Sequence, residues 1–282
     1  IPVMAFYLLF CYAPMYGAII AFKNYSPIAG ILGSDWVGLT HFKAFFKDFY
    51  FWRIIGNTLK ISMMSLVFGF PAPILLALLL NEIQSTKFKR LVQTVSYFPY
   101  FISLVVVCGI IKNFLMTDGV INDILYMFTG NRISFLQEPQ YFRSIYVISN
   151  IWQNIGWGSI LYIAVLTGIN PEFYEAAAID GAGRFKKMFH ITLPCLMPTI
   201  VIMLILNVGS ILNVGYEKII LLYNPTTYET ADVISSYVYR KGLMESNYSY
   251  STAVGLFNSV CNFILIYLAN RISRSMGETS LW

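Results

Sequence analysis

The sequence predicts an all-α membrane protein with six transmembrane helices. Three observations carry that expectation. The 282 residues are 57% hydrophobic and only 12% charged, about half the roughly 25% charged share of a soluble domain, and mean hydropathy is +0.63. Apolar segments at about 1–22, 54–80, 91–115, 144–169, 193–214 and 252–269 are each long enough to cross about 30 Å of hydrocarbon as a helix. Lys and Arg also divide unevenly: segments 81–90, 170–192 and 270–282 hold eight in 46 residues, whereas 23–53, 116–143 and 215–251 hold nine in 96. The denser set is read as cytoplasmic, which places both termini inside the cell. The net charge of +5 is modest and gives no indication of nucleic acid.

The first segment begins at Ile1 already inside an apolar run, so a preceding cytoplasmic stretch is expected. It has no basic n-region and no small-residue cleavage site, so it reads as a span and not as a signal peptide. It closes on Tyr12, Pro14 and Tyr16, aromatics suited to an outer interface. His41–Trp52, rich in Phe at helical spacing, is predicted as an amphipathic helix on the outer surface. The second segment carries Pro71 and Pro73, which must kink or break it, and Lys60 near its outer end. The third contains Tyr97, Pro99 and Tyr100 in its inner third and Lys112 near its outer end. Segments 116–143 and 215–251 read as irregular outer loops, the second rich in tyrosine. Cys11, Cys108, Cys195 and Cys261 lie in apolar segments without metal-ligand spacing and read as buried, inert thiols. Residues 1–53 then form a first span with an outer amphipathic segment, 54–272 the core, and 273–282 a cytoplasmic tail.

A polar island interrupts this pattern at Glu175–Pro194, EAAAIDGAGRFKKMFHITLP. Asn170 can N-cap a helix, Pro171 suits its first position, and Glu172 and Glu175 lie where the helix dipole is positive. Ala176, Ala177 and Ala178 continue it with little bulk. Gly181 and Gly183 permit a turn with φ > 0, and a second short helix is predicted from Arg184 to about Ile191.

The spacing Glu175-Ala176-Ala177, three residues, Gly181, nine residues, Ile191-x-Leu193-Pro194 resembles the EAA signature of ABC importer permeases position by position. Pro14–Gly17, Asp232–Asn270 and Gly277–Trp282 extend the likeness, to the permeases of complex-oligosaccharide importers such as those for alginate or pectin fragments. The resemblance implies the type I ABC importer transmembrane fold with 170–192 as its coupling loop. Glu172, Glu175, Ala176, Ala177, Asp180, Gly181 and Gly183 would then meet a separate ATPase. It further implies a second homologous permease, two ATP-binding subunits that hold ATP and Mg, and an extracytoplasmic solute-binding protein. The setting would be a bacterial cytoplasmic membrane, with no cofactor in this chain.

Three spans carry polar faces. Asn150, Gln153, Asn154 and Trp157 share one side of the fourth; Asn207, Ser210, Asn213 and Tyr216 drift around the fifth; Ser251, Gly255, Asn258 and Asn262 recur along the sixth. Amides in hydrocarbon are costly unless paired or wetted. Asn and Gln both donate and accept, as sugar hydroxyls require, and Trp152, Trp157 and Tyr216 offer platforms for sugar ring faces. Each amide could equally serve as packing glue between helices. Lys60 and Lys112 near the outer mouth are candidate contacts for an acidic, oligouronate-like sugar, or simply snorkel. The spans place no Asp or Glu at mid-depth, which weighs against an ion-coupled carrier. No G-x-x-x-x-G-K-[ST] occurs, so the chain is not expected to be an enzyme. An accessory or sensory membrane protein is the alternative class, separable by solute accumulation in vesicles.

Overall fold

The computed structural model describes residues 2–275. Helix α1 spans Pro2–Phe22, followed by a two-stranded antiparallel ribbon, β1 Lys23–Asn24 against β2 Asp35–Trp36. Then come α2 Thr40–Lys47, α3 Phe51–Glu82, α4 Thr86–Tyr97, α5 Leu104–Leu115 and α6 Val120–Thr129. The second half consists of α7 Pro139–Thr167, α8 Pro171–Ile179, α9 Arg184–Gly209, α10 Tyr216–Leu222, α11 Tyr228–Ala231, α12 Ile234–Tyr239 and α13 Tyr248–Ser275.

Among the described residues, five helical stretches are long and apolar enough to cross a membrane: Pro2–Phe22, Phe51–Glu82, Leu104–Thr129, Arg184–Gly209 and Tyr248–Ser275. The remaining expected span, 144–169, falls in α7. Its 29 residues give a length of about 43 Å, ample for a bilayer, but the amides on one side dilute its apolarity. α7 lies against α3, α4, α9, α10 and α11 and forms the centre of the bundle.

Several expectations are corrected by backbone geometry. The third predicted span is not one helix. α4 ends at Tyr97, Phe98–Phe101 make a 3-10 turn, and Ile102 is extended before α5 begins. Pro99 has no N–H to continue the ladder, and the break falls where α7 crosses at Gly156. A Cβ on Gly156 would collide with the Ser96 carbonyl, so the two backbones meet directly. Pro71 and Pro73 do not break α3. A widened π turn, Ser65–Gly69, with the Phe70 N–H donating to the Ser65 carbonyl at 3.1 Å, absorbs the missing donors. The predicted helix His41–Trp52 ends at Lys47, where Asp48 turns extended and its carboxylate accepts from the Tyr50 N–H at 2.8 Å, while Phe45 packs inward onto Phe51, Tyr250 and Phe257. The two predicted loops are largely helical: α6 lies in 116–143, and α10, α11 and α12 in 215–251. The buried residues Ile219, Leu222, Ala231 and Val233 anchor the latter to α3, α5 and α7. Of the cysteines only Cys108 is fully buried, while Cys11 and Cys195 are exposed; all four are free. The predicted tail enters α13 up to Ser275, and Gly277–Trp282 lies outside the described residues.

Candidate functional site

α3 and α7 run side by side in the same direction. Arg143 Nη2 donates to Asn57 Oδ1 at 3.0 Å at one end, Gly158 abuts Pro73 midway, and Leu166 packs with Leu78 and Leu196 at the other. Small residues at the crossing set how closely these helices approach. Between them and α9 the polar faces enclose a cavity of about 450 Å³. α7 contributes Tyr146, Asn150 and Asn154, four residues apart and therefore on one ridge. α3 adds Ser62, Ser65 and Gly69; α9 and the turn after it add Asn207, Ser210 and Asn213. Asn154 Nδ2 donates to the Asn150 carbonyl and to Asn150 Oδ1, at 2.9 and 3.1 Å, which holds both amides on the wall.

A second cavity of about 360 Å³ shares Tyr146, Asn150, Asn154 and Gly215 with the first. It adds Tyr100, Gln153, Tyr216, Glu217 and Lys218. The amides on α7 therefore face two cavities that share part of their wall, with hydroxyl and amide groups able to donate and accept along both.

The other predicted residues fall elsewhere. Trp157 lines neither cavity. It stacks on Tyr100, with ring centroids 4.5 Å apart and planes 3° from parallel, and meets Phe101 edge-on. Tyr216, on the wall of the second cavity, also stacks on Tyr239 at 5.5 Å. Asn262 is buried and fully engaged: its Oδ1 accepts from the Leu212 N–H at 3.2 Å, and its Nδ2 donates to Asn213 Oδ1 at 3.0 Å. Asn258 donates to the same Asn213 oxygen at 2.8 Å. Asn258 and Asn262 thus pin the chain that leaves α9, and neither lines the two shared cavities. Lys60 is exposed on α3 and Lys112 half-buried on α5, and neither lines them.

Residues that sequence reading passed over include Tyr146, Ser62 and Ser65 on the first cavity and Lys218 on the second. Lys218 lies between Glu217 and Ile219, in a stretch that reads as loop. Its only sequence signal was the apolar Ile219-Ile220-Leu221-Leu222 that follows. The far end of the bundle also holds Asp232, fully buried and bound by Arg240 at 2.6 Å and by Ser236 Oγ at 2.8 Å.

The polar island forms at the opposite end. Asn170 Oδ1 accepts from the Glu172 N–H at 3.1 Å and caps α8, with Pro171 at its first position. The helix ends in a Schellman motif: the Gly181 N–H donates to Ala178 O at 3.0 Å and the Ala182 N–H to Ala177 O at 2.8 Å. Gly181 has φ +74°, whereas Gly183 has φ −69° and uses no glycine-only conformation. The predicted second short helix is the beginning of α9, joined to the span through a π turn at Met188–Thr192. Tyr174 Oη lies 3.0 Å from Thr192 Oγ1 and ties α8 to α9. Glu172, Glu175, Ala176, Asp180 and Gly181 are exposed, beside the exposed apolar side chains of Phe173, Ile179 and Phe185. The Glu175 carboxylate makes no ion pair or hydrogen bond with any of the described residues.

Comparison with known proteins bears on the chain as a whole. The family model described as binding-protein-dependent transport system inner membrane component matches residues 69–278. Protein LplB of Bacillus subtilis (strain 168) is 46% identical over 283 residues, covering 100% of this chain and 89% of its own. The polygalacturonan/rhamnogalacturonan transport system permease protein YteP of the same bacterium is 44% identical over 283 residues, covering 100% and 88%. A chain in the crystal structure of a bacterial alginate ABC transporter, in complex with an alginate pentasaccharide-bound periplasmic protein, matches with a TM-score of 0.92. The identity there is 46%, over 99% of this chain and 94% of that one.

Proposed function

This chain belongs to the family of binding-protein-dependent transport system inner membrane components, and from that premise we propose that it is a permease subunit of an ATP-driven oligosaccharide importer. One observation supports this most. α9 begins at the exposed loop, at Arg184, and its far end supplies Asn207 to the polar cavity, with Ser210 following in the turn after it. Its 26 residues make a strut of about 39 Å. A push on α8 would pass through the Tyr174–Thr192 contact into α9 and move one wall of the cavity.

In this reading α8 docks on a partner ATPase, with Glu175 hydrogen-bonding at the contact and Ile179 and Phe185 filling its apolar part. The ATP and Mg belong to that partner. A second permease completes the path, and a solute-binding protein delivers the sugar at the α10–α12 end, opposite the loop. The loop and both termini face the cytoplasm. Acidic oligosaccharides are the preferred class, because YteP is a polygalacturonan/rhamnogalacturonan permease and the structural neighbour serves alginate.

Gly181→Val tests the coupling. A β-branched side chain at φ +74° is strained by about 1–3 kcal/mol, and the Schellman turn must open. The expected result is that the tagged native chain co-purifies with an ATPase and a second permease, whereas the variant keeps the permease and loses the ATPase. A native chain that purifies alone would sink the reading.

A further inference from the structure

Lys218 is 4% exposed, yet none of the described Asp or Glu side chains forms an ion pair with it. Its Nζ donates to Gln153 Oε1 at 3.3 Å and stands 5.9 Å from the centre of the Tyr146 ring. The other strongly buried charge takes a different course. Asp232 is met by Arg240 at 2.6 Å and by Arg53 at 3.8 Å. Burying an ammonium without a counter-charge is costly. A neutral amide oxygen and a ring face reduce that cost without cancelling it. Such a cation, with donor capacity left over, is poised for an anion.

The place where that anion can arrive is the second cavity, which Lys218 lines together with Asn150, Gln153 and Asn154. There the ammonium stands beside amides suited to hydroxyls, in a cavity that shares Asn150 and Asn154 with the larger one. We propose that Lys218 is the carboxylate contact of the translocation path, so that a uronate unit passing Asn150 and Asn154 is favoured over its uncharged counterpart. The inference rests on the importer reading and deepens it. It also moves the charge contact away from Lys60 and Lys112, whose side chains lie outside both cavities. Gln153 is the positioning residue: its carboxamide oxygen holds Nζ at the wall.

The test is binding of trigalacturonate and of its full methyl ester to the detergent-solubilised permease–ATPase complex, without solute-binding protein so that only the path selects. The native complex is expected to prefer the acid by about tenfold or more. Lys218→Gln is expected to abolish that preference while still co-purifying with its partners, and Lys218→Arg to retain it. A preference that survives Lys218→Gln overturns the proposal, as does a native complex that binds both sugars equally. If Lys218→Gln fails to assemble, Lys218→Arg decides: loss of the acid preference in an assembled Arg variant counts against the proposal, and its retention supports it. Uptake by native proteoliposomes with binding protein tests the parent reading separately. Uptake together with no charge discrimination by the path removes the role of Lys218 alone, whereas no uptake of any oligosaccharide removes both.

Discussion

At the scale of single residues, Asp48 illustrates how a carboxylate is held near the membrane surface. It sits in the turn between α2 and α3. The hydroxyls of Tyr237 and Tyr250 donate to its Oδ2 at 2.5 and 2.8 Å, and the Tyr50 N–H to its Oδ1 at 2.8 Å. Burial works against the charge, but these donors, helped by Lys241, hold its pKa below the ordinary 3.8. A depressed carboxylate pKa contributes stability above the unfolded-state value, and that stability is lost as pH falls through the folded one. Asp48→Asn is therefore expected to cost about 1–2 kcal/mol at neutral pH, with a gap that narrows below about pH 4. Unfolding midpoints of the solubilised chain at pH 7 and pH 3 check this; a gap that widens on acidification contradicts it. None of this was legible in the sequence, because Asp48 lies 189 residues from Tyr237 and 202 from Tyr250.

At the scale of elements, the α4–α7 crossing depends on one missing methyl group. Gly156→Ala would press a Cβ into the Ser96 carbonyl and toward the Tyr97 nitrogen, which lies 2.8 Å from the added atom. Backbone cannot yield as a flexible side chain can, so a loss of about 1–3 kcal/mol or more is expected. Gly109, in α5, has open space around it, and there an alanine should be neutral or stabilise the helix by about 0.5–1 kcal/mol. Thermal midpoints of the two variants should move in opposite directions or differ clearly; equal shifts would mean that the close contact does not matter. The sequence revealed that α4–α5 contains Pro99 but not that another backbone passes there. It likewise revealed the prolines of α3 but not the π turn that accommodates them, since widening a turn depends on what the neighbouring helices permit.

At the scale of the whole molecule, α3, α7 and α9 leave a polar space that no single helix possesses. Asn154 belongs to both cavities, and its Nδ2 is bonded only to Asn150. Asn154→Leu removes a donor and an acceptor without filling a packed interior. The expected outcome is a drop of about tenfold or more in oligosaccharide uptake, equivalent to ~1.4 kcal/mol, with partner subunits still co-purifying. Asn262→Leu provides the contrast: it leaves the buried Leu212 N–H without its acceptor and Asn213 held by Asn258 alone, so assembly or stability should fail along with uptake. If both variants behave alike, the division between cavity wall and interhelical pin is wrong.

The sequence alone determined what depends on local chemistry. Apolar length marked the membrane helices apart from the predicted span 91–115, the Asn170-Pro171 start and Gly181 end bounded α8, and the EAA spacing identified the family. Each is written in residues adjacent along the chain, where helix period, capping and left-handed backbone act. Tertiary structure decided which polar residues share a space. Asn150 and Asn154 face the cavities, Trp157 turns to Tyr100, Asn258 and Asn262 secure the turn after α9, and Lys218 comes to rest beside Gln153. Sequence periodicity gives the side of a helix on which an amide lies. What that side meets is set by how neighbouring helices cross, and here the crossings depend on Gly156, on Gly158 and on contacts between residues far apart in the chain.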